Sequence, residues 1–213
     1  GLVVRSATQV TAEVLAAAER LKVVGRAGIG IDNIDLAAAT AKGVVVMNTP
    51  TGNTTTTGEL AIALLCSLAR HVPQADRSTR SGNWKKKNLM GTEITGKVLG
   101  VIGLGRIGRV VAQRAAGLRM EVVAHDPYLS KEGLLKSGLE AGLEGIELLE
   151  LDDLLQRSDF VTLHVPLTDE TRGLLGAERL GLMKPGARLI NCARGGLVDE
   201  AALAVALDEG RLA

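Results

Sequence analysis

The sequence is poor in aromatic residues and in cysteine, and neither sign of charge prevails. Trp84, Tyr128 and Phe160 are the one Trp, one Tyr and one Phe among 213 residues. So few rings leave no stacking platform for a nucleic-acid strand. Lys and Arg total 25 and Asp and Glu 24, a formal net charge of +1. That balance excludes a nucleic-acid binder held by bulk electrostatics. No apolar run approaches the ~20 residues that a membrane span requires; the longest, Leu60 to Ala69, is interrupted by Ser67. Cys66 and Cys192 both lie in apolar runs and read as isolated buried thiols. Such usage suits a reducing cytoplasm better than a disulfide framework. No Cys/His cluster has metal-ligand spacing, so no metal is expected. No secretory signal is visible, and the chain opens on Gly1. It reads as a piece of a longer or processed chain.

What the sequence has in excess is glycine: 26 residues, where average usage of about 7% would give about 15. The glycines punctuate apolar segments, as in α/β proteins. Leu2 to Arg5 reads as a strand, Ala12 to Leu21 as a helix, and Lys22 to Val24 as a strand. Asp35 to Lys42 follows as a helix and Val44 to Met47 as a strand. Thr56 to Glu59 has the form of a capping box opening an apolar helix, Leu60 to His71. Residues 73–97 are polar and strand-poor. Strands are then expected at Lys97–Ile102, Glu121–His125, Phe160–Val165 and Ala187–Cys192. Helices fall between them, at Asp152–Gln156 and Ala177–Met183 among others, and Asp199–Glu209 closes the chain. Residues 130–150 read as irregular. This alternation implies an α/β fold, a Rossmann-type doubly wound parallel sheet with part of a second, smaller α/β unit. The composition change near residue 50 places the boundary there, giving units 1–50 and 51–213. Each end falls where another βα unit is expected.

The chemistry concentrates in a few loops. Gly103-Leu104-Gly105-Arg106-Ile107-Gly108 has the form G-x-G-x-x-G. It follows an apolar strand and opens a helix, and Asp126 ends the next strand. The span from Val98 to Asp126 fits the ~30 residues of a dinucleotide-binding βαβ unit. Gly103 allows the tight turn, Gly105 lets backbone approach a pyrophosphate, and Gly108 lets helix and strand pack closely. The helix N-terminus offers N–H groups and positive dipole to phosphates. Asp126 suits ribose hydroxyls and repels a 2′-phosphate, and Pro127-Tyr128 supplies no cation, which favours NAD over NADP. Ligands bind at strand C-termini in open α/β sheets. There lie His164-Val165-Pro166 and Asn191-Cys192-Ala193-Arg194-Gly195-Gly196. Arg194, in a glycine turn beyond a buried strand, suits a carboxylate or keto oxygen. His164 reads as a satisfied structural histidine. Arg26-Ala27-Gly28-Ile29-Gly30 can form an anion-binding nest, with Arg5 at a neighbouring strand end. Lys85-Lys86-Lys87 reads as a solvated charge run.

The chain resembles the D-isomer-specific 2-hydroxyacid dehydrogenase family. The matching pieces are Val4 to Thr8, Gly25 to Asn33, Met47 to Pro50, Trp84 to Gly96, Gly103 to Gly108 and Asn191 to Glu200. The resemblance is strongest to the branch that takes a phosphorylated 2-hydroxy acid. It implies that Arg194 is catalytic and binds substrate carboxylate and carbonyl. It implies that Arg5 and Arg26, with Ala27, Gly28 and Ile29, hold substrate phosphate and carboxylate. NAD would lie against Gly103, Gly105, Arg106, Ile107, Gly108, Asp126, Val165, Cys192, Ala193 and Arg194. Lys86 would reach a partner subunit's substrate pocket in a homodimer formed through the nucleotide-binding domain. The family's catalytic Glu and His have no match here, so this chain is expected to bind NAD and turn over poorly. Branches acting on glycerate, lactate or formate remain open, as does an NADH-sensing corepressor-like protein.

Overall fold

The computed structural model describes residues 1–129 and 145–213. Most of the stretch expected to be irregular, residues 130–144, lies outside the described residues. The chain divides into two compact units, Gly1–Thr54 and Thr55–Ala213.

The first unit is a parallel sheet of β1 (Leu2–Val4), β2 (Val23–Arg26) and β3 (Val45–Asn48), in that order. Two short helices, α1 (Ala12–Ala17) and α2 (Leu36–Ala41), connect them. Thr11 and Asp35 cap these helices by accepting from the Val14 and Ala38 N–H groups, an arrangement that satisfies amides the helix leaves unpaired. Helix α1 stops at Ala17, short of the expected Leu21, because the Ala18 N–H turns back to Leu15 O. The core of this unit is Val4, Val10, Leu15, Val24, Ile34, Ala39 and Val44.

Helix α3 (Thr54–Ala69) leads into the second unit. It begins before the expected Leu60, so Thr56 and Glu59 lie inside the helix and the capping-box reading is wrong. Packing overrides the poor helix propensity of this Thr/Gly run. Gly58 is buried, and a Cβ there would press on the Val110 side chain. The polar stretch beyond is also partly helical, with α4 (Val72–Arg80) and a 3₁₀ turn at Lys86–Leu89. Pro73 sits in the first turn of α4, where its missing N–H costs nothing.

Five parallel strands follow. They are β4 (Val98–Ile102), β5 (Glu121–His125), β6 (Glu147–Leu148), β7 (Phe160–Leu163) and β8 (Arg188–Asn191). Their spatial order is β6-β5-β4-β7-β8. Helix α5 (Arg106–Gly117) follows β4 directly; α6 (Leu151–Arg157), α7 (Ala177–Leu182) and α8 (Glu200–Asp208) come later. Side chains alternate between two cores: Leu99 and Val101 join one, Ile102 the other. That period of two marks a sheet buried on both faces. Because β5 and β7 flank β4 on opposite sides, the winding reverses at the end of β4. This is a Rossmann-type doubly wound sheet, and such a reversal opens a crevice for ligands. Cys66 and Cys192 are free thiols packed against one core, half-buried rather than buried as expected.

Asp159 ties the opposite, N-terminal strand ends together. Its carboxylate accepts from the Val98 N–H at 2.8 Å and from Lys184 Nζ at 3.1 Å. Its carbonyl accepts from the Arg188 N–H at 3.1 Å. Burial alone would raise its pKa, but the Val98 N–H and Lys184 hold it below the ordinary carboxylate value. A carboxylate so depressed adds stability that is present above its unfolded pKa and lost as pH falls through its folded one. Replacing Asp159 by Asn should therefore lower stability by about 1–3 kcal/mol at neutral pH, with the difference shrinking in acid. Urea midpoints that coincide at neutral pH would contradict this.

Candidate functional site

The turn between β4 and α5 is built on its three glycines. Gly103 has φ +91° and sits against the His164 carbonyl, so a side chain is excluded by conformation and by space. Gly108 lies so close to the Gly103 carbonyl oxygen that a Cβ would overlap it. Gly105 is the opposite case: it caps α5, is exposed, and has nothing within 4 Å of where a Cβ would stand. That open space fits backbone approaching a ligand. The first helical bond of α5 runs from the Arg109 N–H to Gly105 O at 3.0 Å. A helix start with no capping side chain carries partial positive charge suited to an anion.

Asp126 stands immediately after β5. One carboxylate oxygen accepts from the Leu104 N–H at 2.9 Å, the other from the Tyr128 N–H at 3.0 Å. It anchors the glycine turn, and carboxylate lone pairs remain for further donors. Val165 follows β7, and its side chain lies beside Gly103. Cys192, Ala193 and Arg194 follow β8. Asn191 shapes that turn, accepting from the Ala193 N–H at 3.0 Å and donating to Arg194 O at 2.8 Å. Arg194 Nη1 donates to the Ala193 carbonyl at 2.8 Å. Burial pushes the Cys192 thiol pKa up, so it is neither a thiolate nucleophile nor a charge at neutral pH. Thus Gly103, Gly105, Asp126, Val165, Cys192, Ala193 and Arg194 lie just beyond the C-terminal ends of strands in one sheet, with Arg106, Ile107 and Gly108 in the first turn of α5.

The first unit has its own concavity at the C-terminal ends of its strands, about 340 Å³ in volume. Arg5, Arg26, Ala27 and Gly28 line it together with Ser6, Thr49, Gly52 and Asn53. Arg26 packs over Gly28, whose φ of +151° and lack of Cβ make room for the guanidinium. Arg26 Nε is buried without a hydrogen-bond partner. A buried unsatisfied donor is costly, and an anion in the cavity would relieve it. Ile29 follows the lining residues; its carbonyl accepts from Asn48 Nδ2 at 2.7 Å. Lys86 is exposed on the 3₁₀ turn of the second unit. Sequence reasoning missed Asn48, Thr49, Asn53 and Arg109. Asn48, at the end of an apolar run, was the signal for the first three, and Arg109 adjoins the glycine motif. Among the described residues no His/Cys/Asp/Glu group could hold a metal.

The chain belongs to the D-isomer specific 2-hydroxyacid dehydrogenase family: residues 62–213 match the model of its NAD binding domain. The cofactor of that domain is NAD. The chain is 54% identical over 211 residues to the D-3-phosphoglycerate dehydrogenase of Mycobacterium tuberculosis (strain H37Rv), covering 99% of this chain and 39% of that protein. It is similar to a solved protein from Thermus thermophilus (TM-score 0.89, 40% identity, 100% of this chain and 65% of the other). It is also similar to the Aquifex aeolicus D-lactate dehydrogenase solved with NAD and lactic acid (TM-score 0.87, 32% identity, 99% and 61%). The chain thus spans less than half the length of the curated relatives it matches.

His164 directly follows β7, and its backbone carbonyl lies against Gly103. Its Nε2 is 3.0 Å from Thr162 Oγ1, and burial lowers its pKa to about 4. It stays neutral at physiological pH. The unfolded chain protonates it near its ordinary value of 6.5, so stability is lost as pH falls from about 6.5 towards 4. The full loss is up to about 3 kcal/mol. His164→Gln should flatten that part of the stability–pH curve; a variant curve with the wild-type slope would contradict the burial.

Proposed function

We propose that this chain is the NAD-binding part, with some of the substrate-binding unit (residues 1–50), of an enzyme that oxidises D-3-phosphoglycerate at C2. The product would be 3-phosphohydroxypyruvate, feeding serine synthesis. The observation that carries this is the open Gly105 position at the sheet's winding reversal, beside an acidic strand end at Asp126. The N–H groups from Gly105 to Gly108 would hold the pyrophosphate, with Gly103 shaping the turn. Asp126 would accept from the ribose hydroxyls, and its charge would repel a 2′-phosphate. Tyr128 is exposed and Pro127 offers no cation. Val165, Cys192 and Ala193 would line the nicotinamide side.

NAD, when bound, supplies the hydride acceptor. Arg194 would hold the substrate carboxylate and the C2 oxygen, and stabilise negative charge as the carbonyl forms. The hydroxyl proton needs a base; the resemblance assigns it to a His–Glu pair that no residue here matches. Arg5 and Arg26, with the backbone of Ala27, Gly28 and Ile29, would take the substrate phosphate and carboxylate. Two arginines, Arg26 with an unsatisfied buried Nε, favour a phosphorylated substrate over glycerate, lactate or formate. Lys86 would serve the partner's site in a cytoplasmic homodimer.

Titration of the purified chain, followed by cofactor fluorescence, tests the cofactor assignment. Saturable NADH binding, with NADPH weaker by at least about tenfold (about 1.4 kcal/mol), is the expected result. Gly105→Ala should keep stability within about 0.5 kcal/mol, since its Cβ meets nothing, yet abolish tight NADH binding. A folded wild-type chain that binds neither cofactor would contradict the reading.

A further inference from the structure

Leu104 sits between the first two glycines of the turn, with its side chain fully buried. Its peptide groups are held from both sides. Its N–H donates to Asp126 Oδ2 at 2.9 Å, and its carbonyl accepts from Arg109 Nε, also at 2.9 Å. Arg109 belongs to the first turns of α5 and is half-buried. A cation there opposes the helix dipole, so electrostatics alone does not favour it. What it supplies is a rigid, permanently charged donor aimed at one carbonyl.

That carbonyl shares its peptide plane with the Gly105 N–H. In a trans peptide the two point in opposite directions, so fixing Leu104 O also fixes where the Gly105 N–H points. Glycines flank this segment, and they resist a peptide flip least. Asp126 pins the preceding plane, Arg109 the next. We infer that Arg109 is a positioning residue of the cofactor site: it sets the Gly105 amide towards the pyrophosphate before the ligand arrives. Arg109 does not itself touch the cofactor. The inference rests on the NAD reading above.

The test compares wild type, Arg109→Met and Arg109→Lys for NADH binding by fluorescence, with ADP and adenosine as competitors. Urea unfolding of each variant is followed in parallel. Removing a charge-assisted hydrogen bond should weaken NADH and ADP by on the order of tenfold. Adenosine, which has no phosphate to meet the turn, should stay within about twofold, and Arg109→Lys should recover most of the loss. Unchanged NADH affinity in Arg109→Met would overturn the inference alone. So would equal weakening of adenosine, which a merely structural role would produce. Should Arg109→Met not fold, Arg109→Gln is read by the same criteria. A wild-type chain that fails to bind NADH would overturn the cofactor reading and this inference together.

Discussion

A helix that starts directly at the end of a parallel strand leaves its first amides without backbone acceptors. The turn from β4 to α5 must also reverse the chain tightly and let α5 pack closely behind it. Gly103 meets the first demand with its positive φ, and Gly108 the second by letting α5 press onto the turn. Leu104 roots the turn in the core. Asp126 reaches across from the neighbouring strand to hold it. These contacts require β5 beside β4, and the sheet order provides that. In the proposed function, the path from sheet order to cofactor binding runs through this one glycine turn.

Much of this was legible in the sequence because it depends on local steric rules. A glycine pattern after an apolar strand and before a helix has few other physical readings, and β5 runs over Glu121–His125 as expected. Other elements depended on packing that no local rule reports. Helix α3 takes in the Thr/Gly run from Thr54, where Gly58 packs against Val110, a contact distant in sequence. Helix α4 was hidden by its polarity: none of its residues is buried, so it carries no apolar period to read. The two-residue strand β6 gave too little pattern to detect.

The candidate site divides in the same way. The glycines and Asp126 stood out by spacing. The second role of Asp126, accepting from Leu104 and Tyr128 N–H groups, required coordinates, as did the contact from Arg109. In the first unit, Arg5 and Arg26 were visible as strand-end cations. Thr49, Gly52 and Asn53 line the same concavity but come from a loop with no charge to mark it. Gly28 gained a reason the sequence did not carry: it makes room for the Arg26 side chain.

The most direct test of the central claim is a map of backbone amide chemical shifts in the isotope-labelled chain as NADH is added. The account predicts that the largest changes fall on Gly103 to Gly108 and on Tyr128, whose amide reports on Asp126. Changes that leave those amides still while NADH saturates elsewhere would contradict it.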